Sequence, residues 1–238
     1  KIRSSFGTGI RFPSLYDYFY GSSTVSEKET LKAEKSKSYD IGYETYLDKF
    51  DLGLNISYFK LNFEDPLVSQ NRTGWMIKNA AGKNTSEGIE LGASWKTSDL
   101  ISTNLNYTYT DSFSSSDCEN PDKGAGECNR GSSVEKAMVR VPRHAISSSI
   151  NYKMNDKFRN SFLVKYIGET RDYGNTNNSW VDIILDDYAT VDFVSTYNIS
   201  NNYDLNFSIR NMFDQKYEQA YEYSSMSRTL NFSLKRKY

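Results

Sequence analysis

The sequence predicts an all-β fold: an antiparallel transmembrane β-barrel wall of about ten strands, as a single barrel domain over residues 1–238. Three observations predict it. Apolar and polar side chains alternate with period two in segment after segment, short and long connections alternate along the chain, and large aromatic rings recur beside the short connections. The segment "NNYDLNFSIRNMF" shows the first: Tyr203, Leu205, Phe207 and Ile209 share one face, and Asp204, Asn206, Ser208 and Arg210 the other. A helix would scatter both sets.

The same parity recurs in roughly 1 to 12, 33 to 47, 50 to 63, 74 to 97, 100 to 112, 140 to 153, 157 to 171, 187 to 199, 202 to 212 and 226 to 238. In the fifth, Ile101, Leu105, Tyr107 and Tyr109 oppose Ser102, Asn104, Asn106 and Thr108; in the last, Leu230, Phe232 and Leu234 oppose Asn231, Ser233 and Lys235. Four connections are tight, at 47 to 50, 97 to 100, 154 to 157 and 200 to 202. Long polar connections lie near 13 to 32, 64 to 73, 113 to 139, 172 to 186 and 213 to 225. This asymmetry is that of an outer-membrane barrel, whose periplasmic turns are short. Pro13, Pro66, Pro121 and Pro142 fall in long connections or at a strand start, where no ladder hydrogen bond is lost.

The aromatic residues test the reading independently, because a membrane barrel carries an outward girdle at each interface. Phe50, Trp95, Tyr152, Phe158, Tyr197, Tyr203 and Tyr238 lie beside short turns, each with the apolar parity of its strand. A soluble sandwich also alternates, but has no reason to repeat rings at one level. The apolar faces are therefore expected to meet lipid and the polar faces to line an interior.

Composition sets the outer limits. The 238 residues carry 29 basic and 30 acidic side chains, and no basic cluster stands out, which argues against a nucleic-acid partner. Mean hydropathy of −0.68 suggests a soluble chain, but an average conceals sorting by face. No run approaches the roughly 18 apolar residues of a membrane-crossing helix. The opening "KIRSSFGTGI" has neither an initiator Met nor a signal-peptide pattern, as expected of a mature chain or a piece of a longer one.

Four stretches, "FGTGIRFPSLYDYF" (6 to 19), "LKAEKSKSYDIGYE" (31 to 44), "NAAGKNTSEGIELGASW" (79 to 95) and "IRNMFDQKYE" (209 to 218), make the chain resemble the C-terminal part of a TonB-dependent outer-membrane receptor. The chain also ends on an aromatic, Tyr238, as strands recognised by the barrel-assembly machinery usually do. It departs from the family at Ala33, where Pro is common, and at Tyr238, where Phe is common. The resemblance implies a larger barrel of 22 strands around a plug, with plug and energy-coupling segment upstream. It also implies uptake driven by the TonB energy-coupling complex, with no resident cofactor. A ten-strand piece with two open edges is not expected to transport anything alone.

Ligand identity is read more narrowly. The closing "FDQKYEQAYEYSSMSRTLNFSL" resembles cobalamin receptors, with ferric siderophore, haem or glycan as rival cargoes. The candidate ligand contacts are loop aromatics, which offer area with few rotors to freeze: Tyr16, Tyr18, Phe19 and Tyr20 after the first strand, and Tyr173, Trp180, Tyr221 and Tyr223 in the last two loops. For Tyr16 to Tyr20 an outer aromatic girdle competes with this role. Arg72, Lys78, Arg171 and Arg228 could meet an anionic ligand or lipopolysaccharide phosphates.

Cys118 and Cys128 enclose "ENPDKGAGE" in the longest loop and suit a disulfide at an oxidising surface. One His and two Cys cannot assemble a usual structural zinc set. The nearby Asp117, Glu119, Asp122 and Glu127 could bind calcium, but lack a recognised ligand spacing. His144 reads as a base, a ligand or a polar residue at a strand start; with Asp111 it leaves open a rim-sited protease, and the polar lumen suits a passive pore. No nucleophile elbow or Gly-rich phosphate loop is present, and "GTG" at 7 to 9 lacks the helix a dinucleotide site requires.

Overall fold

A computed structural model describes residues 1–19, 31–71, 75–79, 83–117, 133–176 and 179–236. Ten strands form one antiparallel wall in the order β1 (Ile2–Arg11), β2 (Glu34–Leu47), β3 (Leu52–Glu64), β6 (Lys83–Lys96), β7 (Ile101–Asp117), β9 (His144–Lys153), β10 (Phe158–Ile167), β13 (Tyr188–Ser200), β14 (Tyr203–Arg210) and β17 (Thr229–Arg236). Each strand pairs with its predecessor in the wall, so every connection is an up-and-down return. Among the described residues β1 and β17 are the two edges.

Register carries the period-two sorting across the whole wall. Leu47 lies opposite Leu52, and the same line continues through Trp95, Thr103, Ile150, Phe162, Phe193 and Ile209 to Leu230. One apolar face results. Phe158–Tyr197, Phe162–Phe193 and Phe207–Phe232 pack their rings across it at centroid distances of 4.8, 5.0 and 4.7 Å. Opposite-facing Asn104, Asn106, Ser147, Ser149, Thr196 and Asn206 make the other face polar, tied by bonds such as Thr196 Oγ1 to Asn206 Oδ1 at 2.9 Å.

Among the described residues no second layer covers the wall. Leu185 and Tyr188 are the only buried hydrophobic residues among those described, while Phe232 is 72 % exposed. A water-soluble protein does not leave so much contiguous apolar surface bare, whereas hydrocarbon covers it without cost. On β7 the outward apolar stretch runs from Ile101 to Tyr109, nine residues, which suits the about 9–11 that a tilted strand needs to cross a bilayer. No helix among the described residues is long and apolar enough to cross a membrane. Crossing belongs to the strands.

The long connections differ from the polar loops expected of them. Residues 67–79 hold a hairpin, β4 (Leu67–Asn71) with β5 (Trp75–Asn79), so the segment 74 to 97 is two elements and not one strand. β7 runs on to Asp117 and pairs there with β8 (Ser133–Ala137). A third hairpin joins β11 (Thr170–Thr176) to β12 (Ser179–Leu185), and a small one joins β15 (Glu218–Ala220) to β16 (Tyr223–Ser224). A short helix, α1 (Leu15–Phe19), follows β1. The polar "GNT" at 174 to 176 hid the third hairpin, because it reads as loop but is paired as the end of β11.

Gly88 is the tightest point of the barrel wall: a Cβ there would lie 2.0 Å from the Tyr109 carbonyl oxygen and 2.7 Å from the Phe59 ring. At Gly92 the nearest obstruction is the side chain of Asn55, which can swing away. Gly88→Ala in the whole protein is therefore expected to destabilise by about 1–3 kcal/mol, and Gly92→Ala by clearly less, read from denaturant midpoints in detergent.

Candidate functional site: the loop cluster and the cleft beneath it

At the long-connection end, two aspartates join three separate loops. Asp172 is 1 % exposed, although carboxylates are rarely buried without strong partners. Its Oδ2 accepts from Arg140 Nε at 3.0 Å and from the Tyr221 backbone N–H at 2.8 Å, while Oδ1 accepts from the Tyr173 N–H at 2.8 Å. The β8–β9 connection, the β11–β12 hairpin and the β15–β16 turn thus meet on one carboxylate. Asp182 adds a second tie, accepting from Lys136 at 2.8 Å and from Arg171 Nε at 3.1 Å. Arg171 also donates to Ala137 O and to Tyr173 Oη, with its guanidinium 4.5 Å from the Tyr173 ring centre.

Burial alone would push both carboxyls up, but the hydrogen bonds from Arg140, Tyr221 and Tyr173 hold Asp172 below the usual Asp range, and Lys136 and Arg171 do the same for Asp182. Gly174 completes the joint, since a Cβ there would meet Ile183 at 2.0 Å and the Tyr221 ring at 2.8 Å. Tyr221 is thereby committed to packing.

Beneath this cluster, on the polar concave face, lies a cleft of about 570 Å³, a size that suits a small-molecule ligand. Lys165, Asp192 and Arg210 line its strand side, and Tyr217, Tyr223 and Met226 its loop side. Tyr217 stacks on buried Tyr188 at 4.0 Å, whereas Tyr223 is 74 % exposed. Asn211 anchors the loop base: its Nδ2 donates to Gln215 O and Met226 O, its Oδ1 accepts from Gln215 N–H, and its own N–H reaches Asp192 Oδ1 at 2.8 Å. A second hollow, of about 490 Å³ and lined by Asn104, Asn106 and Ser147, shares Lys165, Thr190 and Asp192 with the first. The two form one groove along the concave wall.

The structure brings Tyr173, Tyr221 and Tyr223 into this region. Tyr16 and Tyr18 stand on α1, beside β1 at the opposite end of the strand order, where buried Asp17 accepts from Ser14 N–H at 2.7 Å. Tyr20, Arg72, Cys118, Cys128 and Tyr238 lie outside the described residues, as do the side chains of Phe19, Lys78 and Trp180. Arg228 is taken up by Met212 O and, through its N–H, by Asp214. At the short turns, Trp95 Nε1 donates to Phe50 O at 3.1 Å, and Phe50, Trp95, Tyr152 and Tyr203 are exposed on or beside the apolar face.

His144 faces outward, its Nδ1 2.9 Å from Tyr107 Oη and its ring 5.4 Å from Tyr109. Asp111 pairs with Arg143 at 3.4 Å. Sequence reasoning missed the charged row just above these tyrosines, where Lys60–Glu87 and Lys37–Glu64 join Arg143–Asp111 on the outward face. The signal was the change from apolar to charged at constant parity. It also missed Asp172, Lys165 and Arg210.

A single wall with one lipid-compatible face and one polar concave face defines an outer-membrane β-barrel. The profile of the TonB dependent receptor-like, beta-barrel family matches residues 1–212, and the chain belongs to that family. Its members are outer-membrane proteins of Gram-negative bacteria. The chain is 24 % identical over 233 residues to the vitamin B12 transporter BtuB of Photobacterium profundum, covering 96 % of this chain and 34 % of that one. It is 24 % identical over 200 residues to the probable TonB-dependent siderophore receptor PiuA of Acinetobacter baumannii, covering 81 % and 25 %. The ferripyoverdine receptor of Pseudomonas aeruginosa superposes with a TM-score of 0.72 at 19 % identity, over 99 % of this chain and 30 % of that one. The chain thus spans about a quarter to a third of the length of these relatives.

Asp172→Asn should free the three loops from one another, with a loss of about 1.5–3 kcal/mol for a buried bond to a charged group. Because the Asp172 pKa is lowered on folding, the tether is complete above the ordinary Asp value of about 3.9 and is lost as pH falls through the lowered one. A nitroxide at position 222 of the whole protein should be immobile at pH 7, loosen only in strong acid, and be mobile at pH 7 in Asp172→Asn.

Proposed function

We propose that the whole protein is an outer-membrane receptor that takes up a scarce, bulky nutrient chelate by TonB-energised transport, with cobalamin as the cargo. The observation that carries the proposal is the polar concave groove, which ends in an aromatic-walled cleft under loops tied together by Asp172. A closed, water-filled pore has no need to bind, whereas a receptor needs a shaped and preorganised capture site. Two of the curated relatives named as vitamin B12 transporters, from Photobacterium profundum and Vibrio vulnificus, cover 96 % and 92 % of the chain, which favours cobalamin. The siderophore receptor PiuA is the specific support for a ferric siderophore instead.

In this reading Tyr223, Tyr173, Trp180 and the 16 to 20 aromatics contact cargo, with Tyr221 holding the loops in place. Phe50, Trp95, Tyr152, Phe158, Tyr197, Tyr203 and Tyr238 sit at the periplasmic interface, and Cys118–Cys128 closes the longest loop. The partners are outer-membrane lipid, the barrel-assembly machinery and the TonB complex, the last engaged through parts of the protein beyond this chain.

The full-length protein, expressed in a Gram-negative strain lacking its own cobalamin receptor, should restore uptake of labelled cyanocobalamin, and deleting TonB should abolish it. Tyr223→Ala should weaken binding to isolated outer membranes about tenfold, or about 1.4 kcal/mol. Uptake of ferric siderophore without cyanocobalamin uptake would reverse the choice of cargo. TonB-independent diffusion of both would reject the receptor.

A further inference from the structure

We infer that the cleft contains an oxyanion subsite, with Lys165 and Arg210 as the residues that recognise a phosphate-type group on the cargo. This inference rests on the receptor reading above and adds the charge of the ligand to it.

At this end of the wall Arg11, Lys37, Lys60, Lys136, Arg140, Arg143 and Arg171 each carry a carboxylate partner. Lys165 and Arg210 carry none among the described residues, yet both line the same cleft. Register explains their convergence. Lys165 on β10 lies opposite Thr190 of β13, and Asp192 follows two residues along on the same face. Arg210 ends β14 just before Asn211, whose N–H bonds Asp192. The two long side chains therefore approach from either side of β13. Asp192 is their sole carboxylate neighbour in the lining, and one of its oxygens is already engaged by Asn211. Two cations against one carboxylate leave the pocket electropositive.

The remaining lining suits an oxyanion joined to a bulky body. Ser224 and Ser225 supply hydroxyl donors, and Tyr217 and Tyr223 supply flat apolar area. A guanidinium binds phosphate through two parallel N–H donors, and the lysine adds a point charge. Tyr217 is fixed by its stack on Tyr188, and the β15–β16 turn by Asp172, so the loop side of the cleft is held in place before a ligand arrives.

Calorimetric titration of the purified full-length protein with inorganic pyrophosphate at low ionic strength tests the subsite without reference to cargo. Wild-type protein should bind, more weakly as salt is added. The Lys165→Gln/Arg210→Gln double variant should lose at least tenfold in affinity, while Arg159→Gln, at the far end of β10, should bind as wild type does. Equal binding by the wild type and the double variant, or no binding by the wild type, overturns the subsite. Parallel titrations with cyanocobalamin, which carries a phosphodiester, and with dicyanocobinamide, which lacks it, address the cargo separately. The double variant should weaken the first and leave the second unchanged; an equal loss of both also overturns the subsite. Pyrophosphate binding that depends on both residues, without cyanocobalamin binding, retains the subsite and rejects cobalamin.

Discussion

No peptide group can be left unpaired in hydrocarbon, and the rest of this molecule depends on that constraint. The up-and-down ladder from β1 to β17 satisfies it for the inner strands, because each has a partner on both sides. Once pairing is fixed, the two faces follow. Adjacent residues point oppositely, paired residues point alike, and a single choice of register carries the apolar side chains of Leu47 to Leu230 across the sheet on one side. A one-residue slip on any strand would turn its polar side chains toward lipid. Register is therefore enforced by solvent on both faces, which replaces the buried core that a soluble β-protein uses for the same purpose.

That division explains why the polar joints gather where they do. Within the bilayer the outward face has to be apolar, and the charged pairs Lys60–Glu87 and Arg143–Asp111 begin only above the tyrosine and His144 level. Beyond that level, side chains are free of lipid and can form polar joints. Asp172, Asp182, Arg140 and Arg171 use this freedom to bind three hairpin loops into one body over the groove. The Asp172 joint is local in space but spans 49 residues of sequence to Tyr221. Loops joined in this way lose little further entropy when a ligand arrives.

The strands were legible because their cause is local: alternation at 203 to 210 or 101 to 109 can be read from a few consecutive residues. The loop hairpins were less so. In 170 to 185 the polar "GNT" at 174 to 176 reads as loop, and neither β11 nor β12 alternates long enough to stand out from one. Asp172 was illegible for a different reason. A carboxylate in a loop is usually solvated, and only the arrival of Arg140 and Tyr221 from distant sequence makes it a joint. Lys165 and Arg210 were visible as polar-face residues of their strands, but their convergence depends on the register of β13, which parity alone does not specify.

The central claim is that outward parity means lipid and inward parity does not. Nitroxide scanning of positions 203 to 210 in the full-length protein, reconstituted in bilayers, tests it directly through collision with dissolved oxygen, which concentrates in hydrocarbon. Oxygen accessibility should peak at 203, 205, 207 and 209 and fall at 204, 206, 208 and 210, with period two throughout. A profile without that alternation, or with its maxima at the even positions, would contradict the account.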